Sequence, residues 1–387
     1  MIAASALQAR LAARLSSLGE RQLLRTLRVP AGIDLSSNDY LGLADDPRLK
    51  RKMVEAVERE GCGSTGSRLL RGHRGAFDEV ERAFAAFKGV QKALYFSSGY
   101  LANLAVLTTF AEPGDVLLSD RLNHASLRDG LRLSHGRRVA FAHCDACALE
   151  KLLASTRGPG QTFVVTESLF SMDGDVPPLH EYVAMCRKAG ALLIVDEAHA
   201  VGIYGPRGTG LIEELGIDRD VFVSINAAGK ALGVAGAFVA GPEWAIDYLV
   251  QRARPFVFST APPPAVAAAI EESLAIVAAE PERRQRLRTR ATRFRAALAA
   301  GGVAVSGGDS PIIPIVLGDA ARTAAVAETL QTSGFDVRAI RPPTVPEGEA
   351  RLRISVNVAL TDAAMDAFVS VLIATLQGNT SCPVVSS

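Results

Sequence analysis

The sequence predicts an α/β fold, with a mainly parallel sheet in a large domain and a smaller C-terminal α+β domain. Three observations carry this. Leu192-Leu-Ile-Val195 is a continuous apolar run bounded by polar residues, the pattern of a strand buried on both faces. Strand-like and helix-like stretches alternate from Ala93 to Ala240, as βα units do. That alternation stops near Ala261-Pro-Pro-Pro264, where a long helix-rich stretch begins.

In chain order, residues Met1 to about Arg28 are expected to form an amphipathic helix with Leu7, Leu11, Leu15 and Leu18 as its apolar stripe. A short strand and turn follow at Ile33 to Leu43, with Asn38 and Asp39 as turn residues. Cys62 to Gly72 is rich in glycine and hydroxyls and is expected to be an ordered loop near a ligand. Phe77, Val80, Phe84 and Phe87 mark one face of a helix. The strand from Ala93 ends in Ser97-Ser98-Gly99-Tyr100, and a helix starts at Leu101. Further strands are expected at Val116–Ser119, Gln161–Thr166, Leu192–Val195, Val221–Ile225 and Ala237–Ala240. After the helix-rich segment Ala265–Ala300, strands are expected around Ile312–Val316, Asp336–Ile340 and Leu352–Val356. The division is therefore 1–40 for an N-terminal helix and strand, 41–274 for the large domain and 275–387 for the small one. Gly378–Ser387 has the composition of a disordered tail.

Composition narrows the function. The chain has 387 residues, long enough for two domains with substantial cores, and a net charge of +1 gives no bulk field for nucleic acid or anionic membrane. No apolar run is long enough to span a bilayer, and the N-terminus lacks a signal-peptide core, so a cytoplasmic location is expected. Cys62, Cys144, Cys147, Cys186 and Cys382 have no disulfide-framework spacing, which fits a reducing compartment. His143-Cys144-Asp-Ala-Cys147 looks like half a metal site. No second Cys/His pair lies close by in sequence, and no metal is expected.

Polar side chains recur where strands end, and in open α/β sheets such ends converge on a ligand. Asp196-Glu-Ala-His199 spells the acidic box of a helicase-type ATPase. The only partner run, Ser224-Ile-Asn-Ala-Ala-Gly-Lys-Ala231, lacks both the first glycine and the magnesium-binding hydroxyl of a phosphate loop, and it follows the acidic box instead of preceding it. What remains is a set: a helix start after Ser98-Gly99-Tyr100 that suits a phosphate, the imidazole of His124, Ser171, the acid Asp196 with His199, and the amine of Lys230. Pyridoxal 5′-phosphate needs such a set, with a Schiff-base lysine and an acid for its pyridinium nitrogen.

The ordered motifs Ser37-Asn-Asp-Tyr-Leu-Gly-Leu43, Gly63-Ser-Thr-Gly-Ser-Arg-Leu-Leu70, Asn123-His-Ala-Ser126, Phe170-Ser-Met-Asp-Gly-Asp175, Asp196-Glu-Ala-His199, Phe258-Ser-Thr260, Arg341-Pro-Pro-Thr-Val-Pro346 and Arg351-Leu-Arg-Ile-Ser355 span nearly the whole chain. Together they resemble the α-oxoamine synthases, PLP-dependent transferases of fold type I, and the Arg341 and Gly63 runs lean to the biotin-pathway branch. The resemblance implies Lys230 as the Schiff-base lysine and proton acceptor, and Asp196 as partner of the ring nitrogen. His199 and Ser171 would bond the phenolic oxygen, and His124 would stack on the ring and polarise the thioester. Ser98, Gly99 and Tyr100 would cradle the phosphate, joined by Ser259 and Thr260 from a neighbouring subunit, which implies a homodimer with shared sites. Asn38 and Arg353 would bind the amino-acid carboxylate, and Ser355 would lie near the acyl substrate. Arg25, or alternatively Arg28, would meet the distal carboxylate of a pimeloyl chain. The implied reaction is decarboxylative condensation of L-alanine with pimeloyl-CoA or a pimeloyl-carrier protein. The open alternatives are an α-oxoamine synthase using glycine or serine with another acyl-CoA, and a non-catalytic subunit of the same fold.

One position departs from the family pattern. Three residues before Lys230, where the resemblance implies a threonine, stands Ala227. A hydroxyl donor to the cofactor phosphate is missing unless Asn226 or Ser224 replaces it.

Overall fold

The structure, a computed structural model, describes residues 2–156 and 158–378, with side chains from Ser5 onward. The expected tail beyond Gly378, including Cys382, lies outside the described residues. The strands run β1 (Ile33–Asp34), β2 (Lys92–Phe96), β3 (Val116–Asp120), β4 (Arg137–Phe141), β5 (Thr162–Glu167), β6 (Leu192–Asp196), β7 (Val221–Ala227), β8 (Ala237–Gly241), β9 (Ile312–Gly318), β10 (Phe335–Asp336), β11 (Ala339–Ile340) and β12 (Ala350–Ser355).

The larger compact unit comprises Asn38–Ser171 and Asp175–Arg286. Its seven-stranded sheet has the order β2-β8-β7-β6-β5-β3-β4. Only β8 runs against its neighbours; the other pairings are parallel. Alternation along each strand feeds two separate cores. Phe163, Val165 and Ile194 pack on one face, with Leu94, Val106 and Ile246. Val164, Leu193 and Val195 pack on the other, with Leu149, Leu179 and Tyr182. A sheet buried on both faces explains the unbroken apolar run at Leu192. It also puts the carboxyl ends of β2, β3, β5, β6 and β7 along one edge, where polar side chains have no core to enter.

The smaller unit comprises Met1–Ser37, Met172–Gly174 and Leu287–Ser387. The N-terminal strand is part of it, because β1 pairs in parallel with β10. A three-stranded antiparallel sheet has the order β11-β12-β9. The first helix ends at Glu20, short of the expected Arg28, and its leucine stripe is exposed. The expected strand at Asp336–Ile340 divides into β10 and β11, which pair with different partners. The helix-rich segment divides into Pro264–Ala279 and Pro281–Ala300 at Pro281, whose missing N–H breaks the ladder. No helix of the described residues is long and apolar enough to cross a membrane.

Candidate active site

The strand ends of the larger unit surround a cavity of about 380 Å³. Seven of the expected residues line it directly: Ser98, Gly99, Tyr100, His124, Asp196, His199 and Lys230 form the wall, together with Ala227. Each is delivered by a specific element. Asp196 is the last residue of β6, and Ala227 is the last of β7. Ser98 is the N-cap of the helix Gly99–Phe110, its Oγ accepting from the Leu101 N–H at 3.3 Å. The N–H groups of Gly99 and Tyr100, in that first turn, have no intrahelical acceptor and suit an anion.

Hydrogen-bond polarity fixes two chains of side chains. The Asp196 carboxylate accepts from the Ala198 N–H at 2.9 Å and from Asn103 Nδ2 at 2.7 Å. Asn103 Nδ2 gives its second hydrogen to Ser126 Oγ at 2.9 Å. That hydroxyl therefore donates to His124 Nδ1 at 2.7 Å, which also accepts from the Ser126 N–H at 3.2 Å. Nδ1 is thus an acceptor, and the proton of the neutral ring sits on Nε2. Desolvation lowers the His124 pKa, Lys230 lowers it further and Asp196 opposes, so the ring that faces the cavity is neutral at physiological pH.

The second chain starts at Lys230, whose Nζ lies 2.9 Å from His199 Nε2. An ammonium has no lone pair, so Nε2 accepts. His199 Nδ1 then carries the proton and donates to the Tyr40 hydroxyl at 2.7 Å, which donates in turn to Asn38 Oδ1 at 3.0 Å. Tyr40 and His199 are buried, so the middle of this chain is shielded from water.

Sequence reasoning missed Asn103, Glu167 and Tyr40 as site residues. Asn103 was legible as a lone amide in an otherwise apolar helix turn, one turn after Gly99. Glu167 ends β5 directly beside Asp196, its register partner in β6. It is buried, accepts from the His124 N–H at 2.6 Å and lines the cavity. Burial, then the Asp196 charge, push its carboxyl up to about 8, so Glu167 is largely protonated at neutral pH. The folded chain holds a proton that an unfolded chain, with the ordinary value of 4.5, has released. Stability of the cofactor-free protein should therefore fall as pH rises from about 4.5 to about 8, with a slope of at most ~1.4 kcal/mol per pH unit from this group. Glu167→Gln is expected to flatten that decline and to melt above wild type at pH 8. Thermal melts across this range test it, and parallel curves would refute it.

Other expected residues lie elsewhere. Ser171 is buried in the connection after β5, its N–H directed at the Glu167 carboxylate. Ser259 and Thr260 are not among the residues lining the cavity, and Thr260 is exposed. Asn38 ends the Tyr40 chain. Arg353 and Ser355 belong to the smaller unit, where Arg353 Nη1 donates to Ser355 Oγ at 2.7 Å on β12. Arg25 is there too, beside a cavity of about 600 Å³ that Arg28, Arg338 and Arg341 also line. Arg25 donates to the Thr344 hydroxyl at 3.1 Å and Arg28 to Gln331 Oε1 at 3.1 Å, both neutral acceptors.

A family model for aminotransferases of class I and II matches residues 30–372. The chain belongs to the class I and II aminotransferase family. Within it, the chain is similar to an 8-amino-7-oxononanoate synthase of Anaeromyxobacter dehalogenans, 48% identical over 345 residues, covering 89% of this chain and 86% of that one. Among solved structures it matches a serine palmitoyltransferase from S. paucimobilis with a bound PLP–myriocin aldimine, at a TM-score of 0.90 and 30% identity, over 95% and 97% of the two chains. It also matches the 8-amino-7-oxononanoate synthase of Francisella tularensis, at a TM-score of 0.78 and 29% identity, over 90% and 99%. The fold type I expectation holds, and PLP is the cofactor of this member of the family. The donor set fits it: an amine, two adjacent carboxyl groups, a neutral imidazole and a helix N-terminus.

Proposed function

We propose that this protein condenses L-alanine with pimeloyl-CoA or a pimeloyl-carrier protein, with loss of carbon dioxide, to give 8-amino-7-oxononanoate for biotin synthesis. The observation that carries this is Lys230 Nζ held 2.9 Å from His199 Nε2 in a cavity shared with Asp196, in a chain 48% identical to a synthase of that name. Pyridoxal phosphate, when bound, supplies a cationic ring that stores the electrons of a carbanion.

The chain's own residues do the rest. Asp196, oriented by Asn103 and Ala198, holds a proton at the ring nitrogen. Lys230 takes the α-proton of alanine as general base, and His199 holds it in line through an imidazole anchored on Tyr40. The neutral His124 would face the cofactor ring, and its Nε2–H would meet the thioester carbonyl oxygen, where negative charge develops. Ser171 and His199 would bond the phenolic oxygen. Gly99, Tyr100 and Ser98 would hold the phosphate, with Ser259 and Thr260 reaching across from the second subunit of a homodimer. The exposure of Thr260 and of the neighbouring Phe258 supports that assignment. Asn38 and Arg353 take the amino-acid carboxylate, Ser355 the acyl region and Arg25 the distal carboxylate. The neutral partners of Arg25 and Arg28 support an anion there. The four described cysteines are free, which supports a cytoplasmic setting.

A product assay with pimeloyl-CoA and L-alanine, with glycine and L-serine as controls, tests the reading. Product with alanine at least tenfold above the controls is expected. A preference for glycine or serine, or no product from a PLP-loaded enzyme, would overturn it.

Ala227 has a consequence for cofactor retention. It lines the cavity, whereas Asn226 donates to Ser224 Oγ at 2.9 Å with both side chains buried away from it. Neither replaces the missing hydroxyl. A hydrogen bond to a charged group contributes about 1.5–3 kcal/mol, so Ala227→Thr should tighten PLP binding by about ten- to a hundredfold. Titrating both apoproteins with PLP measures it, and equal affinities would refute the idea.

A further inference from the structure

The cluster formed by Asp120, His143, Cys144 and Asp175 lies outside the cofactor cavity, and the reaction does not use it. Three ligand-type atoms face one another there. His143 Nε2 is 2.9 Å from Asp175 Oδ2, Cys144 Sγ is 3.5 Å from that nitrogen, and Sγ is 3.9 Å from the same carboxylate oxygen. We propose that His143 Nε2, Cys144 Sγ and Asp175 Oδ2 form a binding site for a zinc-class divalent cation, with Asp120 as its second-shell support.

The geometry accommodates an ion as it stands. A triangle with edges of 2.9, 3.5 and 3.9 Å has a circumradius of about 2.0 Å, so a point slightly out of its plane lies at about 2.0–2.3 Å from all three atoms, the range of zinc–ligand bonds. Asp120 completes the pattern from behind. Its Oδ1 is 3.0 Å from His143 Nδ1, so it accepts that ring proton and leaves Nε2 for the ion, the carboxylate–histidine–metal arrangement. Asp120 is itself fixed, accepting from the Leu122 N–H at 2.8 Å and the Cys144 N–H at 2.8 Å. The second carboxylate oxygen of Asp175, Oδ1, is buried without a hydrogen-bond partner. Its side chain is nevertheless 42% exposed overall, which leaves an entry path and a fourth position for water.

The donor set selects the ion. One nitrogen, one sulfur and one oxygen suit zinc or cobalt, and the sulfur and imidazole disfavour calcium and magnesium. The sequence showed only the His143-Cys144 half, because Asp175 joins it from the connection after β5. The ion would tie the ends of β3, β4 and β5 together, next to Ser171.

The test is a Co²⁺ titration of chelator-treated, PLP-loaded enzyme, read by equilibrium dialysis with elemental analysis and by visible d–d absorption. One ion per chain with tetrahedral intensity is expected, and Zn²⁺ should displace it and raise the melting midpoint. Cys144→Ser should abolish the stoichiometric binding. Asp120→Asn, a change behind the ligands, should weaken it by about 10–100-fold. Cys147→Ser, at an exposed cysteine outside the cluster, should bind as wild type does. Circular dichroism and PLP absorbance confirm that each variant is folded, and Asp175→Asn carries the test if Cys144→Ser is not. No stoichiometric ion in the wild type, or binding unchanged by loss of Cys144 or Asp175, would overturn the proposal.

Discussion

Lys230→Ala is expected to lower the condensation rate by at least about 10³-fold, because it removes the general base and, with it, the amine that holds the cofactor. Lys230→Arg separates these roles from simple charge. It keeps a cation beside His199 Nε2, 2.9 Å away in the wild type, but guanidinium neither gives up a proton at neutral pH nor serves as a nucleophile. Both variants should be equally inactive, although only Lys230→Arg keeps a cation beside His199. Two measurements are informative. Loss of product is the first. The second is proton exchange at the α-carbon of L-alanine in deuterated water, which wild type should catalyse without the acyl donor and both variants should not. Residual activity above about a tenth of wild type in Lys230→Ala would remove the lysine from the mechanism.

How much of this was legible before the fold depended on where the signal lay. Strands buried on both faces announce themselves by composition alone, so β3, β5, β6 and β7 were readable within a residue or two. β4 was not. It is the edge strand, reading Arg-Arg-Val-Ala-Phe with only Phe141 buried, and its pairing to β3 is a tertiary fact. Nor does alternation reveal that β8 runs antiparallel, because direction is set by the path of the chain and not by side-chain pattern. The site shows the same division. Lys230, Asp196, His199 and His124 were legible because each stands at or within three residues of a strand end or helix start and belongs to a family-like motif. The groups that orient them were not, since Tyr40 reaches His199 across 159 positions and Asn103 reaches Asp196 across 93. Polar residues buried in isolation are the signal for such partners, but sequence does not say which partner they find.

Lys88→Ala is expected to be strongly destabilising although it lies outside the cofactor cavity. Lys88 closes the helix Gly75–Lys88, and its side chain is 2% exposed against the Glu197 carboxylate, which is 0% exposed. The ammonium donates to Glu197 Oε2 and, at 2.7 Å, to the Thr209 carbonyl. The other carboxylate oxygen accepts from the Ile212 N–H at 3.0 Å. Gly210 lets the loop pass over this pair: a Cβ there would sit 2.3 Å from the carboxylate, at a φ of +129°. Truncating the lysine leaves an uncompensated buried charge, which costs about 3–5 kcal/mol. At about 2–4 °C per kcal/mol for a chain somewhat smaller than this one, the melting midpoint should fall by roughly 5–15 °C. The cost comes from the stranded carboxylate and not from the lost pair, so the remedy is to neutralise the survivor. Lys88→Met with Glu197→Gln keeps an acceptor for Ile212 and removes both charges, and should recover most of the loss. The effect also reaches the chemistry, since Glu197 follows Asp196 directly in the chain and a shifted Glu197 moves the acid that faces the cofactor. PLP affinity should therefore drop in Lys88→Ala and return in the double variant. Melting curves and PLP titrations of the three proteins test this. A midpoint in Lys88→Ala within a degree or two of wild type would show that the pair contributes nothing to the fold.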